Sequence, residues 1–283
     1  MTLTPTRTIL DTARAAGRGV GAFNVVHVET AEALAGAAED AGLPVILQLS
    51  ENCIRYHGAF EPIAAATLAV AEGSSALVAV HLDHAEDPGL ALRAIDRGFG
   101  SVMYDGARLA FDDNVATTRR VVAYARATGA LVEAELGEVG GKDGAHAPGV
   151  RTDPGEAARF VDDTGVDALA VAVGSSHAMT ERTAALDVDL IARLARVVPV
   201  PLVLHGSSGV ADEMIMEGIH AGLTKVNVST HLNARFTGAI RDFLTAHPQV
   251  VDSRKYVTAG REAVRLEATR LLALFASAEK EPG

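Results

Sequence analysis

The residues of this sequence that are equipped for chemistry cluster where short apolar runs give out. Asn24, Gln48 and Ser50, Asp83 and His84, Asp105, Glu133 and Glu135, His177, His205 and Asn227 each close or closely follow a run of Val, Leu and Ala. Gathered in one place, such carboxylates and imidazoles would repel one another or stay unsatisfied unless a cation or an anionic ligand held them. His84, His177 and His205, three of ten histidines, follow the third, sixth and seventh runs, so each can face one central ion. Three imidazoles with a position left open suit a catalytic Zn2+, which polarises carbonyls as a Lewis acid. Histidines this far apart have no diagnostic interval, and a lone histidine is more often structural. His81, two residues before Asp83, is read that way, as core or as a partner behind a ligand. His27, His57, His146, His220, His231 and His247 fall in loops or helical patterns and are given structural roles.

Small polar and glycine clusters follow the last three runs: Gly174 to Ala178, His205 to Gly209 and Asn227 to Thr230. Consecutive backbone N–H groups in such turns form nests for phosphate without needing net positive charge. One such cluster is ordinarily only a chain reversal, but three together point to an anion. Gly140, Gly141 and Lys142 do not make a P-loop, because Leu136 and Asp143 occupy the required glycine and hydroxyl positions.

The elements that must position these groups are legible in the runs themselves: 20–24, 45–49, 77–82, 101–104, 131–136, 168–173, 202–204 and 225–228. Continuous apolar runs of about five residues are the mark of strands buried on both faces of a parallel sheet. Between them lie Ala- and Leu-rich segments with helical spacing, at 30–41, ending at 160–164, and at 191–197. Glycines that end helices stand at Gly42, Gly98, Gly129, Gly165 and Gly222. Eight strand–helix units starting roughly 23–37 residues apart predict one (β/α)8 barrel over 1–283, with an additional helix at 257–278 outside it. A doubly wound open sheet is the competing arrangement, but no G-x-G-x-x-G follows the first run and no linker divides the chain. In a barrel the strand ends converge on one face, where such enzymes carry their sites.

Composition narrows the function classes. A formal charge of −11 and an aromatic content of 4%, without Trp, argue against nucleic acid as partner. The single Cys53 leaves no internal disulfide and no CxxC motif. The first residues contain no apolar signal core, and charges interrupt every long apolar run, so the expectation is a cytoplasmic protein without a membrane partner.

The runs Val80 to His84, Glu133 to Gly137, Gly174 to His177, Leu204 to Gly209 and Lys225 to Thr230, in this order, closely resemble the class II, zinc-dependent fructose/tagatose-bisphosphate aldolases. The match extends from Gly21 to Tyr256, and the short C-terminal part is more similar to the tagatose-bisphosphate aldolase branch. The resemblance implies a TIM barrel and a lyase of carbohydrate metabolism (glycolysis), assembled as a homodimer or homotetramer. It would reversibly split a ketose phosphate into dihydroxyacetone phosphate and an aldehyde. It assigns His84, His177 and His205 to zinc, and Asp105 and Glu135 to an alternative or second metal position. Asp83 would exchange the proton of the hydroxyl that becomes the aldehyde, and Asp143 that of the triose carbon. Ala178, Gly206, Ser207, Ser208, Asn227, Val228, Ser229 and Thr230 would bind dihydroxyacetone phosphate, with Asn24 and Ser50 also lining the substrate. The carbonyls of Gly174 and Gly206 would hold Na+ or K+, and Arg254 would reach a second phosphate. Cleavage beside a ketone leaves negative charge, which a Lewis acid stabilises.

The sequence also departs from the family pattern. Ala178 replaces a glycine, Arg182 stands near a missing lysine, Lys142 and Asp143 replace an acidic pair, and Asn52 and Cys53 interrupt a loop that is normally small. Glu29 and Glu32 are read as solvated helix face. These departures bear on the sugar more than on the reaction class. Two other readings remain: a Schiff-base aldolase, for which Lys225 is the sole lysine of four in a barrel run, and a degenerate barrel that binds zinc and phosphate without turnover.

Overall fold

The computed structural model describes residues 3–136, 151–176, 179 and 181–277. Asp143, His177 and Ala178 therefore lie outside the described residues. Eight parallel strands close into a barrel in sequence order: β1 (Val20–Asn24), β2 (Val45–Ser50), β3 (Val78–Ala85), β4 (Ser101–Tyr104), β5 (Leu131–Glu135), β6 (Ala168–Ala170), β7 (Leu202–Leu204) and β8 (Leu223–Val228). Val20 of β1 sits beside Lys225 of β8, which closes the cylinder. The eightfold reading of the runs is therefore correct, with shifts of a few residues at strand ends.

The helices are α1 (Thr6–Ala16), α2 (Val28–Ala41), α3 (Glu51–His57), α4 (Phe60–Gly73), α5 (Pro88–Asp96), α6 (Phe111–Ala125), α7 (Pro154–Thr164), α8 (Val188–Val197), α9 (Asp212–Ala221), α10 (Thr230–Ala246) and α11 (Ser253–Ala276). The expected interruption at Asn52 and Cys53 is instead helix α3. Ser50 at the end of β2 caps it by accepting the Cys53 N–H at 3.1 Å, so chain that reads as loop folds into helix. Burial raises the Cys53 thiol to about 11, and its side chain is inside the fold. The native protein should therefore react with a thiol reagent far more slowly than the urea-unfolded chain; equal rates would mean the α3 segment opens freely.

Alternation along each strand sorts the buried residues into two sets. Phe23, Leu47, Val80, Leu82, Val132, Leu169 and Val226 pack outward with the helices. Val20, Ala22, Ile46, Ala79, Met103, Leu131, Ala168, Ala170 and Val203 fill the N-terminal half of the barrel interior, where Ile9, Leu10 and Ala13 of α1 join them. Helix α1 thus seals the floor. Its apolar face buries against the interior of the barrel, which is invisible to a reading that looks for strand–helix pairs.

The additional C-terminal helix is present and longer than expected. Val264, Ala268, Leu271, Leu272 and Phe275 of α11 are buried, and α11 packs on α2 and α10. Arg265 holds Asp40 through two bonds of 2.6 and 2.7 Å, and Arg261 pairs with Glu32 at 3.2 Å. Glu32 is exposed, as expected of a solvated helix face, and meets Arg261 there. No helix among the described residues is long and apolar enough to cross a membrane.

Candidate active site

Inward-facing positions change character along the barrel axis. Above the apolar floor comes a fully buried polar layer of Gln48, His81, Glu133 and Lys225, and above that the strand ends carry Asn24, Asp83, Asp105, Glu135, His205 and Asn227. Lys225 Nζ donates to Glu133 Oε2 at 2.7 Å, with no solvent exposure on either residue. Burial, then the Lys225 charge, depresses the His81 pKa well below its ordinary value, so the ring is neutral. It faces Lys225 Nζ at 3.4 Å through Nε2 and Ser101 at 2.8 Å through Nδ1, and Ser101 pairs with Thr6 of α1 at 2.9 Å. An unpaired charge in this layer would be costly, and the mutual pairing offsets that cost. His81 is the core residue that its position suggested.

The site above depends on one irregularity in β3. Successive side chains of a regular strand point to opposite faces. Here the register with β4 shifts between Leu82 and Ala85, and His84 has φ 50°, the one non-glycine positive φ among the described residues. Asp83 follows outward-packed Leu82 and faces the interior by ordinary alternation; the bulge adds His84 to the same barrel mouth before Ala85 returns outward. His84 Nε2 lies 4.0 Å from Asp83 Oδ1.

His84 and His205 meet edge to face, with ring centroids 4.5 Å apart and His84 Nε2 2.8 Å from His205 Nδ1. The far nitrogen of each ring is held by a carboxylate. Asp105 Oδ2 is 2.7 Å from His84 Nδ1, and Glu133 Oε1 is 2.9 Å from His205 Nε2. A carboxylate on the outer nitrogen fixes the tautomer and aims the inner lone pair, the arrangement that metal-ligating histidines adopt. Two groups of ligand atoms lie close enough for an ion: Asp83, His84 and His205, and His84, Asp105 and Glu135. The donor set therefore fits a divalent metal of the zinc type. Asp105 can serve as an outer partner of His84 or as a ligand itself.

Asp83 is held between two amides: Asn24 donates to Oδ2 at 3.1 Å and Asn227 to Oδ1 at 3.2 Å, while Gln48 donates to Asn24 Oδ1 at 2.8 Å. Burial opposes ionisation of Asp83, but the His84, His205 and Lys225 charges and the Asn24 amide outweigh it and hold the carboxyl at about 2. Buried Asn227 Oδ1 has no hydrogen-bond donor among the described residues and is available to a ligand hydroxyl.

The loops after β6, β7 and β8 interlock beside this centre. Gly206 has φ 66°, and a Cβ there would come within 2.6 Å of the Ser176 backbone. Only glycine lets the two loops cross so closely. Ser207 to Gly209 form a single 3-10 turn, the Ser207 hydroxyl donates to the Asn227 carbonyl, and Ser208 Oγ accepts the His231 N–H at 3.1 Å. Val228, Ser229 and Thr230 lead into the N-terminus of the 17-residue α10, whose unsatisfied N–H groups favour an anion.

Other expected residues lie elsewhere. Asp252 caps α11 by accepting the Arg254 N–H at 3.1 Å, and the Arg254 side chain, paired with the same carboxylate, is 88% exposed. Arg182 is tied to Asp212 and the Val210 carbonyl. Lys225, the Schiff-base candidate, lies sealed beneath the histidines in its ion pair, away from a substrate. Glu133 was visible as a strand-end carboxylate; its place two residues before Glu135, on the same strand face, is the signal that it supports a ligand from below.

A family model described as fructose-bisphosphate aldolase class-II matches residues 4–280. The fructose-bisphosphate aldolase of Thermus caldophilus is 39% identical over 95% of this chain and 96% of its own. The 6-phospho-5-dehydro-2-deoxy-D-gluconate aldolase of Bacillus licheniformis is 37% identical over 92% of this chain and 90% of its own. Among solved structures, the YdjI aldolase of Escherichia coli K12 superposes with a TM-score of 0.86 at 30% identity, covering 98% of both chains. A barrel mouth with paired imidazoles and their supporting carboxylates thus coincides with a family match over residues 4–280, and this chain belongs to the class II fructose-bisphosphate aldolase family, as a lyase.

Proposed function

We propose that the protein is a zinc-dependent aldolase that reversibly cleaves a ketose 1,6-bisphosphate, of the fructose or tagatose kind, into dihydroxyacetone phosphate and glyceraldehyde 3-phosphate. The observation that carries this reading is the pair of carboxylate-backed imidazoles beside an ionised Asp83 fixed by two amides. His84 and His205, joined by His177, would hold the metal; Asp105 and Glu135 offer the alternative position. Zinc bound there supplies a Lewis acid that withdraws charge from the substrate carbonyl.

The protein's own groups do the remaining work. Asp83 takes the proton of the hydroxyl that becomes the aldehyde and returns it in condensation. Asn24 and Asn227 keep its carboxylate in one orientation, and the side-chain Oδ1 of Asn227 can accept a substrate hydroxyl. The Gly206 to Ser208 turn and the Asn227 to Thr230 segment bind the triose phosphate, with Ala178 alongside. Ser50 lies toward the aldehyde half. Asp143 would exchange the triose proton, and the Gly174 and Gly206 carbonyls would take Na+ or K+.

The test is a parallel assay of zinc-loaded protein on fructose, tagatose and deoxy-ketose phosphates, before and after chelation. Cleavage of one bisphosphate, lost on chelation and restored by zinc, is expected. Cleavage that survives complete metal removal would overturn the zinc reading. Binding of dihydroxyacetone phosphate without exchange of its proton for solvent would instead establish a barrel without turnover.

A further inference from the structure

A line of charged groups that the reaction does not use runs from the phosphate nest to the outside of the barrel. His231, the residue after Thr230, places its backbone N–H on Ser208 and its Nε2 2.7 Å from Glu267 Oε1. Glu267, in the middle of α11, is 9% exposed. Arg270, one turn on, donates to both oxygens of Glu267, at 2.7 and 3.2 Å, and to Asp212 Oδ2 at 2.5 Å. Asp212 opens α9, directly after the β7 loop, and its other oxygen takes Arg182. Arg182 belongs to the chain after β6 and also donates to the Val210 carbonyl at 2.7 Å, beside the bridge of Ala184 with Val210. From Glu267 through Arg270 and Asp212 to Arg182 the charges alternate in sign.

We infer that Glu267 and Arg270 make α11 a clamp for the phosphate-binding loops, so that these two positioning residues set affinity for the phosphate of the substrate from outside the barrel. This inference rests on the phosphate assignment proposed above. The backbone donors of a nest bind an anion well only when their directions are fixed beforehand. The three loops follow three different strands, and a network built on the bidentate Arg270–Glu267 pair restrains them more firmly than isolated surface pairs do. No member of the line lies among the residues assigned to metal or proton transfer, so its loss acts on binding and leaves the chemical step alone.

Glu267→Gln keeps the size of the side chain and removes the carboxylate that His231 and Arg270 both contact. It should raise KM and the Kd for dihydroxyacetone phosphate by about tenfold, with kcat within about twofold and zinc content unchanged. Asp212→Asn, between Arg270 and Arg182 in the line, reads the same effect should Glu267→Gln fail to fold. In a double-mutant cycle, Glu267→Gln and Asp212→Asn should combine to less than the product of their separate effects, because they break one network. Wild-type phosphate affinity in the folded variants, or a fall in kcat at constant KM, would overturn the clamp while leaving the aldolase reading intact. Failure of the unmodified protein to bind dihydroxyacetone phosphate at all would overturn both.

Discussion

Asp83→Ala should retain the metal and lose turnover by on the order of 10³-fold, the scale of a removed general acid/base. The asymmetry follows from the arrangement of the site. His84 and His205 are oriented by Asp105 and Glu133, not by Asp83, so their inner nitrogens keep their direction in the variant. What disappears is the carboxylate that Asn24 and Asn227 hold beside them. With its carboxyl held at about 2, Asp83 is ionised throughout the neutral range and ready to accept a proton; a dication nearby pushes in the same direction. Zinc content and kcat measured on the same sample check the prediction. Full activity would remove the acid/base role, and loss of zinc together with activity would make Asp83 a ligand.

Lys225→Met should be among the most damaging changes in the molecule although it touches no substrate. It strands the Glu133 carboxylate in the barrel interior, where breaking a buried pair costs about 3–5 kcal/mol. Because Glu133 also holds His205, zinc affinity should fall by about 10–100-fold, the usual consequence of losing an outer partner of a metal ligand. The double variant Lys225→Met with Glu133→Gln removes both charges at once and should recover much of the stability. Its amide can still accept from His205 Nε2, but more weakly, so zinc affinity should recover less. Urea unfolding and competition with a chelator of known affinity measure the two effects separately. A single variant as stable as wild type would show that the barrel interior tolerates the lone carboxylate.

These two expectations differ in how far they could be reached without coordinates. Asp83 stands out in the chain as an acid beside a histidine at the end of an apolar run, and the family resemblance assigns it a role. Lys225 stands out only as a lysine in a run otherwise suited to burial. Its pairing with Glu133 joins β8 to β5, which no local pattern records. The same holds for the clamp: His231, Asp212 and Arg182 are ordinary loop and helix residues until α11 brings Glu267 and Arg270 against them.

The sequence by itself determined the eightfold alternation, the parallel sheet and the roster of strand-end acids and histidines, because run length, spacing and residue type are local properties of the chain. It misjudged the segment at Asn52 and Cys53, where a single capping hydroxyl converts apparent loop into helix, and it passed over α1, whose partner is the barrel floor rather than a neighbouring strand. Only the tertiary structure decided that Asp83 and His84 face the same way. Adjacent strand residues diverge by default, and that preference yields here to a register shift between β3 and β4. Likewise, which carboxylate stands behind which imidazole is set by the stagger of strands around the closed barrel, a quantity defined between segments and carried by none of them alone.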